Sequence, residues 1–468
     1  MQDKATGIQE TPPPQMQIQA MTERTHSVNL PQSVWNLTWP EGLLLLMIFC
    51  QIALLLPGLA GMRAGFRCAA FTGSLALLLK FGPSLRHPAA LATVCVLSTV
   101  ALGLLHPSTN GLLGGLVTFA MYVAIISPVL WAVQVKMDPH ALRRMVMILW
   151  FFHTLSALFG VLQIYYPGSF QPAMTSVLAD KGAYLSQLYI KLADGSRVLR
   201  PMGLTDSPGG AATSGFYAVL LGVGILLTER KLWKYGSLGG ITIGLFCLYL
   251  SQVRSFVVMT GICLLVLLAV MHARGRLLRA MSLLVLLVPL VAGSYFWAQA
   301  VGGDSVTKRL GTLVEMRPDA VYQANRGKFL RHTIDELVPE YPLGAGLARW
   351  GMMAYYFGDT SHNAVPQLYA EIQWTGWVLD GGIPLVMAYS AALLWALLAA
   401  WRIALRRRDA LGDWANIIVA YNVGALALCF NSAFFMSQTG LECWLLNGVL
   451  MAVFLRERKP VREVYGTA

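Results

Sequence analysis

Twelve stretches of this chain are long and apolar enough to approach a membrane span, and that recurrence limits the fold more than any other feature. A spanning helix needs about 20 largely apolar residues, because only that many cover the hydrocarbon core. The runs lie near 42–60, 68–85, 88–105, 111–134, 145–166, 208–228, 237–253, 255–273, 281–301, 375–400, 414–434 and 438–455. The second is the weakest, since its clean stretch ends at Lys80 and Pro83 follows. Pro57, Pro128, Pro289 and Pro384 interrupt others, which a membrane tolerates because neighbouring helices satisfy the freed carbonyls. Composition agrees: 56% of residues are hydrophobic and 12% charged, where a soluble domain carries about 25% charged. Half the usual charge cannot coat a soluble globule of this size, and so apolar a chain is not disordered as a whole. The expected fold class is an all-α polytopic membrane protein of about twelve helices.

The net charge of +12 is then a question of sidedness, with nucleic acid not expected as a partner. Nineteen Lys and Arg, from Lys80 to Arg462, fall in short loops and a tail on the N-terminal side; Arg63, Arg67 and Arg254 fall opposite. Basic loops stay in the cytoplasm, so both termini are expected there. Residues 1–40, polar and Pro-containing, read as a disordered cytoplasmic tail without a cleavable signal. Residues 41–301 then carry nine helices with an outer loop at about 167–207, and 302–374 form a large outer loop. Three further helices occupy 375–455, and 456–468 make a second cytoplasmic tail. The 302–374 loop is expected to be partly helical, from the spacing of Tyr322, Phe329, Leu330, Ile334 and Leu337. The seven cysteines sit in or beside apolar runs with no Cys-x-x-Cys pair, as small buried hydrophobes would.

Ionisable groups at a membrane are costly and point to function. Arg254 lies in Leu250-Ser251-Gln252-Val253-Arg254-Ser255-Phe256, a compact turn between two spans on the side that otherwise lacks cations. Arg200 opens a Gly/Pro-rich stretch, Arg200-Pro201-Met202-Gly203-Leu204-Thr205-Asp206-Ser207-Pro208-Gly209-Gly210, which leads straight into a span. Free amides there could cradle an anion at the helix start. His362 stands in Ser361-His362-Asn363-Ala364-Val365-Pro366, late in the second outer loop. Topology alone puts all three on one face. The outer segments hold no Asp-x-Asp, His-Glu-x-x-His or cysteine cluster, so neither a metal nor another cofactor is expected. A diphosphate handled here would need arginine, whose fork suits it.

In these stretches the chain resembles the O-antigen ligase and O-antigen polymerase superfamily of bacterial envelope glycan transferases. The likeness rests on Arg200, Gly203 and Pro208 before a middle span; on the turn with Ser251, Arg254 and Ser255; and on the second outer loop. That loop has Arg326 leading a helix, the turn Pro342-Leu343-Gly344-Ala345-Gly346, and the His362-Asn363 pair. It covers about residues 200–395. The chain departs from the family pattern with Ser207 before Pro208, Val253 before Arg254, and Glu371-Ile372-Gln373 where a Glu-x-Gly turn is usual.

The resemblance implies a GT-C-like, metal-independent and inverting glycosyltransferase of the bacterial inner membrane, with its active site on the periplasmic face. The donor would be an oligosaccharide or polysaccharide on undecaprenyl diphosphate. The acceptor would be a sugar hydroxyl, on a growing glycan for a polymerase (slightly favoured) or on lipid A–core for a ligase. Arg200, Arg254 and His362 would be catalytic. The arginines would hold the diphosphate, and His362 would activate or orient the acceptor. Arg326, Ser251, Ser255 and Asn363 would bind substrate. Besides the lipid bilayer, a chain-length regulator or export machinery is a candidate partner. The competing readings are a transporter or flippase of lipid-linked glycan, with Asp380 and Glu442 as its main intramembrane charges, and a non-catalytic scaffold.

Overall fold

A computed structural model describes residues 37–171, 188–191, 197–315, 317–359, 361 and 365–457. The architecture is all-α, 79% helical, with one two-stranded antiparallel ribbon pairing Tyr189–Lys191 with Arg197–Leu199. Each of the twelve apolar runs contains a helix. Eight of these, among the described residues, are long and apolar enough to cross a membrane, or nine if Leu112–Ile126 and Pro128–Gln134, bent by 43°, count as one span.

The difference from twelve has a physical basis. The first run forms helix only over Trp39–Ala53, because a 3-10 turn begins at Pro57, which lacks the N–H to continue the ladder. The third run forms Ala90–Gly103 and stops before His106-Pro107. Its 14 residues rise about 21 Å, short of a hydrocarbon core of about 30 Å. Lys231–Ser251 is long enough at 21 residues but opens on Lys231 and Lys234, which lower its hydropathy.

Three helices occupy the centre of the bundle. Gly210–Thr228 and Gln438–Glu457 are each 83% buried, and Ala410–Leu428 is 78% buried. Small residues let neighbouring helices approach closely: a Cβ on Gly215, in Gly210–Thr228, would meet the Gly244 carbonyl of Lys231–Ser251 at 2.8 Å. Arg63–Phe81 and Leu277–Gly302 lie at the periphery, 17% and 22% buried. Their outward leucines, such as Leu79 and Leu278, form the apolar belt that lipid would cover. All seven cysteines are free; five are buried as expected, whereas Cys68 and Cys95 face outward.

The segment after Gly302 is largely helical. Asp304–Glu315 comes first, and a run from Pro318 to Glu340 follows, broken by π-turns at Gln323–Gly327 and Thr333–Leu337. The turn Pro342–Gly346 ties this segment to the bundle. Helix Gln373–Arg406 is interrupted at Gly381 and Gly382, with φ −163° and +61°. The turn fills that break: Ile383 N–H donates to the Pro342 carbonyl at 2.9 Å, and Ala345 N–H donates to the Leu379 carbonyl at 2.7 Å. Gly344, at φ +105°, adopts a left-handed conformation that favours glycine. Asp380, just before the break, is buried and accepts from the Tyr122 hydroxyl at 2.7 Å and from Trp350 Nε1 at 2.9 Å. Buried Arg349 donates to the carbonyls of Ala345 and Pro366, which fixes the base of the following loop.

Candidate functional site

Four arginines from separate segments converge where two helices begin. Arg254 is the first residue of helix Arg254–Ala273, delivered there by Gln252, whose left-handed backbone (φ +55°) closes the turn after Lys231–Ser251. Its guanidinium donates through Nη1 to the Thr312 hydroxyl at 2.7 Å and through Nη2 to Asn325 Oδ1 at 3.4 Å. Arg309 enters from helix Asp304–Glu315, with Nε 3.4 Å from the Gln252 carbonyl. Arg200 follows the ribbon, its own N–H donating to the Leu188 carbonyl at 2.7 Å. Its guanidinium rests on Gly209, the left-handed N-cap of helix Gly210–Thr228, where a Cβ would lie 3.1 Å from Nη2. Arg326 projects from the π-turn Gln323–Gly327, a distortion common at functional sites. Its Nη1 donates to Glu371 Oε1, and the Tyr369 hydroxyl donates to Glu371 Oε2.

The charges act on one another. Burial lowers the proton affinity of Arg200, and the neighbouring Arg326 charge lowers it further, with Glu371 opposing. Arg309 is pushed down to about 10, first by burial and then by Arg254 and Arg200. It remains a cation at neutral pH, so like charges are held together at a cost. Tyr369 is pushed up to about 12 by burial and by its bond to Glu371, and so stays a hydrogen donor. Two helix N-termini add their positive dipole ends to the cluster. Such an arrangement suits a multiply charged anion.

Of the site residues expected from sequence, Arg200, Arg254 and Arg326 meet here. His362 and Asn363 lie outside the described residues. Ser251 is fully buried, and its hydroxyl donates to the Leu248 carbonyl at 2.8 Å, within its own helix. Ser255 is half-buried beside Arg254. Arg309, Thr312, Asn325, Tyr369 and the paired Glu371 are additions. A signal for Arg309 existed: it shares the helical stripe of Val306, Leu310 and Leu313, where a cation on an apolar face is out of place. Asp206, in the Gly/Pro-rich stretch, binds Arg63 and Arg67 at 2.6 and 2.5 Å and so latches that loop to the second helix. Among the described residues no three His, Cys, Asp or Glu side chains group as metal ligands. Beside the cluster a cavity of about 240 Å³ is lined by Tyr369, Phe329, His332, Leu337, Leu368 and Thr375.

The fold and the cluster together define a polytopic α-helical membrane protein with a cationic site at helix ends. Comparison with protein-family models and with curated proteins found no match for this chain.

Proposed function

We propose that this protein is an inner-membrane glycan transferase that moves a glycan from undecaprenyl diphosphate to a sugar hydroxyl, as its resemblance to the O-antigen ligase and polymerase superfamily implies. The observation that carries the reading is the convergence of Arg200, Arg254, Arg309 and Arg326, with Glu371 on Arg326. As the glycosidic bond breaks, negative charge grows on the departing diphosphate. Fixed guanidinium groups at two helix N-termini stabilise that charge where it forms. In this reading twelve helices span the membrane in a GT-C-like arrangement, both termini are cytoplasmic, and the cluster faces the periplasm. His362, three residues before Val365 in the chain, takes the acceptor proton or orients the acceptor, a role assigned by the resemblance.

A flippase reading leans on Asp380 and Glu442, both buried in helices. The Asp380 carboxylate is already engaged by Tyr122 and Trp350, which favours a structural role for it over transport.

The test is the glycan profile of a strain lacking the protein. Single repeat units without long chains indicate a polymerase, and long chains stranded on undecaprenyl diphosphate indicate a ligase. Repeat units trapped on the cytoplasmic leaflet would overturn both in favour of the flippase.

A smaller effect is expected from Gly209→Ala. The new methyl group pushes on the Arg200 guanidinium and must adopt a left-handed backbone. Transfer should fall by roughly tenfold or more while the protein accumulates normally, because small displacements of a positioning group are costly. An in vitro transfer assay, run beside immunoblotted membranes, checks it.

A further inference from the structure

Glu371 is the carboxylate that engages Arg326 in the arginine cluster, and it lies on an extended segment. Residues 365–372 run without helix between two anchors. At one end Leu368 N–H donates to the Arg349 carbonyl at 2.7 Å; at the other, Gln373 N–H donates to the Cys429 carbonyl at 3.0 Å, and Ile372 is fully buried. Between the anchors Tyr369 is exposed and Glu371 only half-buried. Arg254 is held by neutral partners, a hydroxyl and an amide oxygen, which leave its charge uncompensated. Arg326 is held by a carboxylate. Glu371 also has a second partner, the Tyr369 hydroxyl, which it keeps if Arg326 turns away.

We propose that Glu371 is a positioning residue that engages Arg326 in the resting site and yields it to the diphosphate as that anion binds. This rests on reading the cluster as a diphosphate site. Glu371 stands where an anionic ligand of Arg326 would stand, so the two compete for one guanidinium. Three arginines receive the ligand, and the fourth joins when the ligand's charge exceeds that of the carboxylate. Handing over Arg326 favours the departing diphosphate, whose charge is higher, over the bound donor. Tyr369 lines the adjacent cavity, so the exchange also adjusts the wall of that cavity. When product leaves, Glu371 takes Arg326 back, which speeds release.

The test uses the full-length protein in nanodiscs, with inorganic pyrophosphate as the probe and orthophosphate as control. Glu371→Gln removes the competing charge and keeps the shape of the side chain, while Glu371→Asp keeps the charge. E371Q should bind pyrophosphate about fivefold tighter than the wild type, the scale of a partly exposed ion pair, and E371D should stay near the wild type. In a transfer assay, E371Q should lower KM and kcat together, because product is held longer. Equal or weaker pyrophosphate binding by E371Q, with E371D normal, overturns the proposal and makes Glu371 a fixed strut. Absence of pyrophosphate binding in the wild type itself would instead sink the diphosphate reading of the whole cluster.

Discussion

Replacing Arg254 with Lys should lower the rate of glycan transfer by about 100-fold, the scale of losing one preorganised donor at a developing oxyanion, with membrane insertion unchanged. The reason lies in what the guanidinium does besides carrying charge. Nη1 and Nη2 reach two helices of the 302–374 segment at once, Thr312 on one and Asn325 on the other. The planar fork can hold both and still present an edge to an anion, whereas an ammonium is a single point donor. Lys retains the charge at the helix N-terminus, so any residual activity measures the dipole and charge contribution alone. The variant is read by transfer from a lipid-linked donor, with protein level and protease accessibility as controls. Full complementation by R254K would remove Arg254 from the site.

A comparable loss, in stability, is expected from Gly382→Ala. Gly382 stands at φ +61°, ψ −154°, a region essentially closed to residues with a Cβ. The added methyl group would also collide with the Pro342 carbonyl, the acceptor for Ile383 N–H in the clip that joins the loop segment to the broken helix. Backbone strain and loss of that clip should together cost about 3 kcal/mol or more. The consequence is a clearly lower thermal unfolding midpoint in nanodiscs and a loosened 302–374 segment, read by limited proteolysis. A wild-type midpoint would show that the break is not held by the turn. Gly381→Ala, at a φ that any residue adopts, separates backbone strain from packing at this junction.

How much of this was legible beforehand follows from which signals are local. Apolar run length is local, and every run of the sequence contains a helix. Helix ends are less so: the shortening of the first and third spans depended on turns at Pro57 and around His106-Pro107, inside or beside continuous apolar stretches. The arginines were legible for a related reason. Arg254 stood out against the sidedness of the other cations, and Arg200 and Arg326 stood in stretches with recognisable patterns. Glu371 stood in ordinary polar surroundings, and the local signal for Arg309 was only its place on the apolar stripe of Val306, Leu310 and Leu313. The loop arginines gain their meaning only when helix Asp304–Glu315 and the 365–372 segment fold back over the ends of the spans. Ser251 shows the opposite case: sequence sets it beside Arg254, yet its hydroxyl returns to its own helix, because a serine in the last turn has a carbonyl within reach.

The sequence by itself determined that this is a helical membrane protein whose few cations away from the basic loops mark a candidate site. Hydrophobic run length and charge placement are properties of consecutive residues, and the bilayer reads them segment by segment. Only the tertiary structure decided that four arginines from four segments meet in one cluster, with Glu371 on one of them. It also decided that a glycine break and a glycine turn fasten the loop segment to the bundle. Those are contacts between residues dozens to more than a hundred positions apart, and no local pattern encodes them.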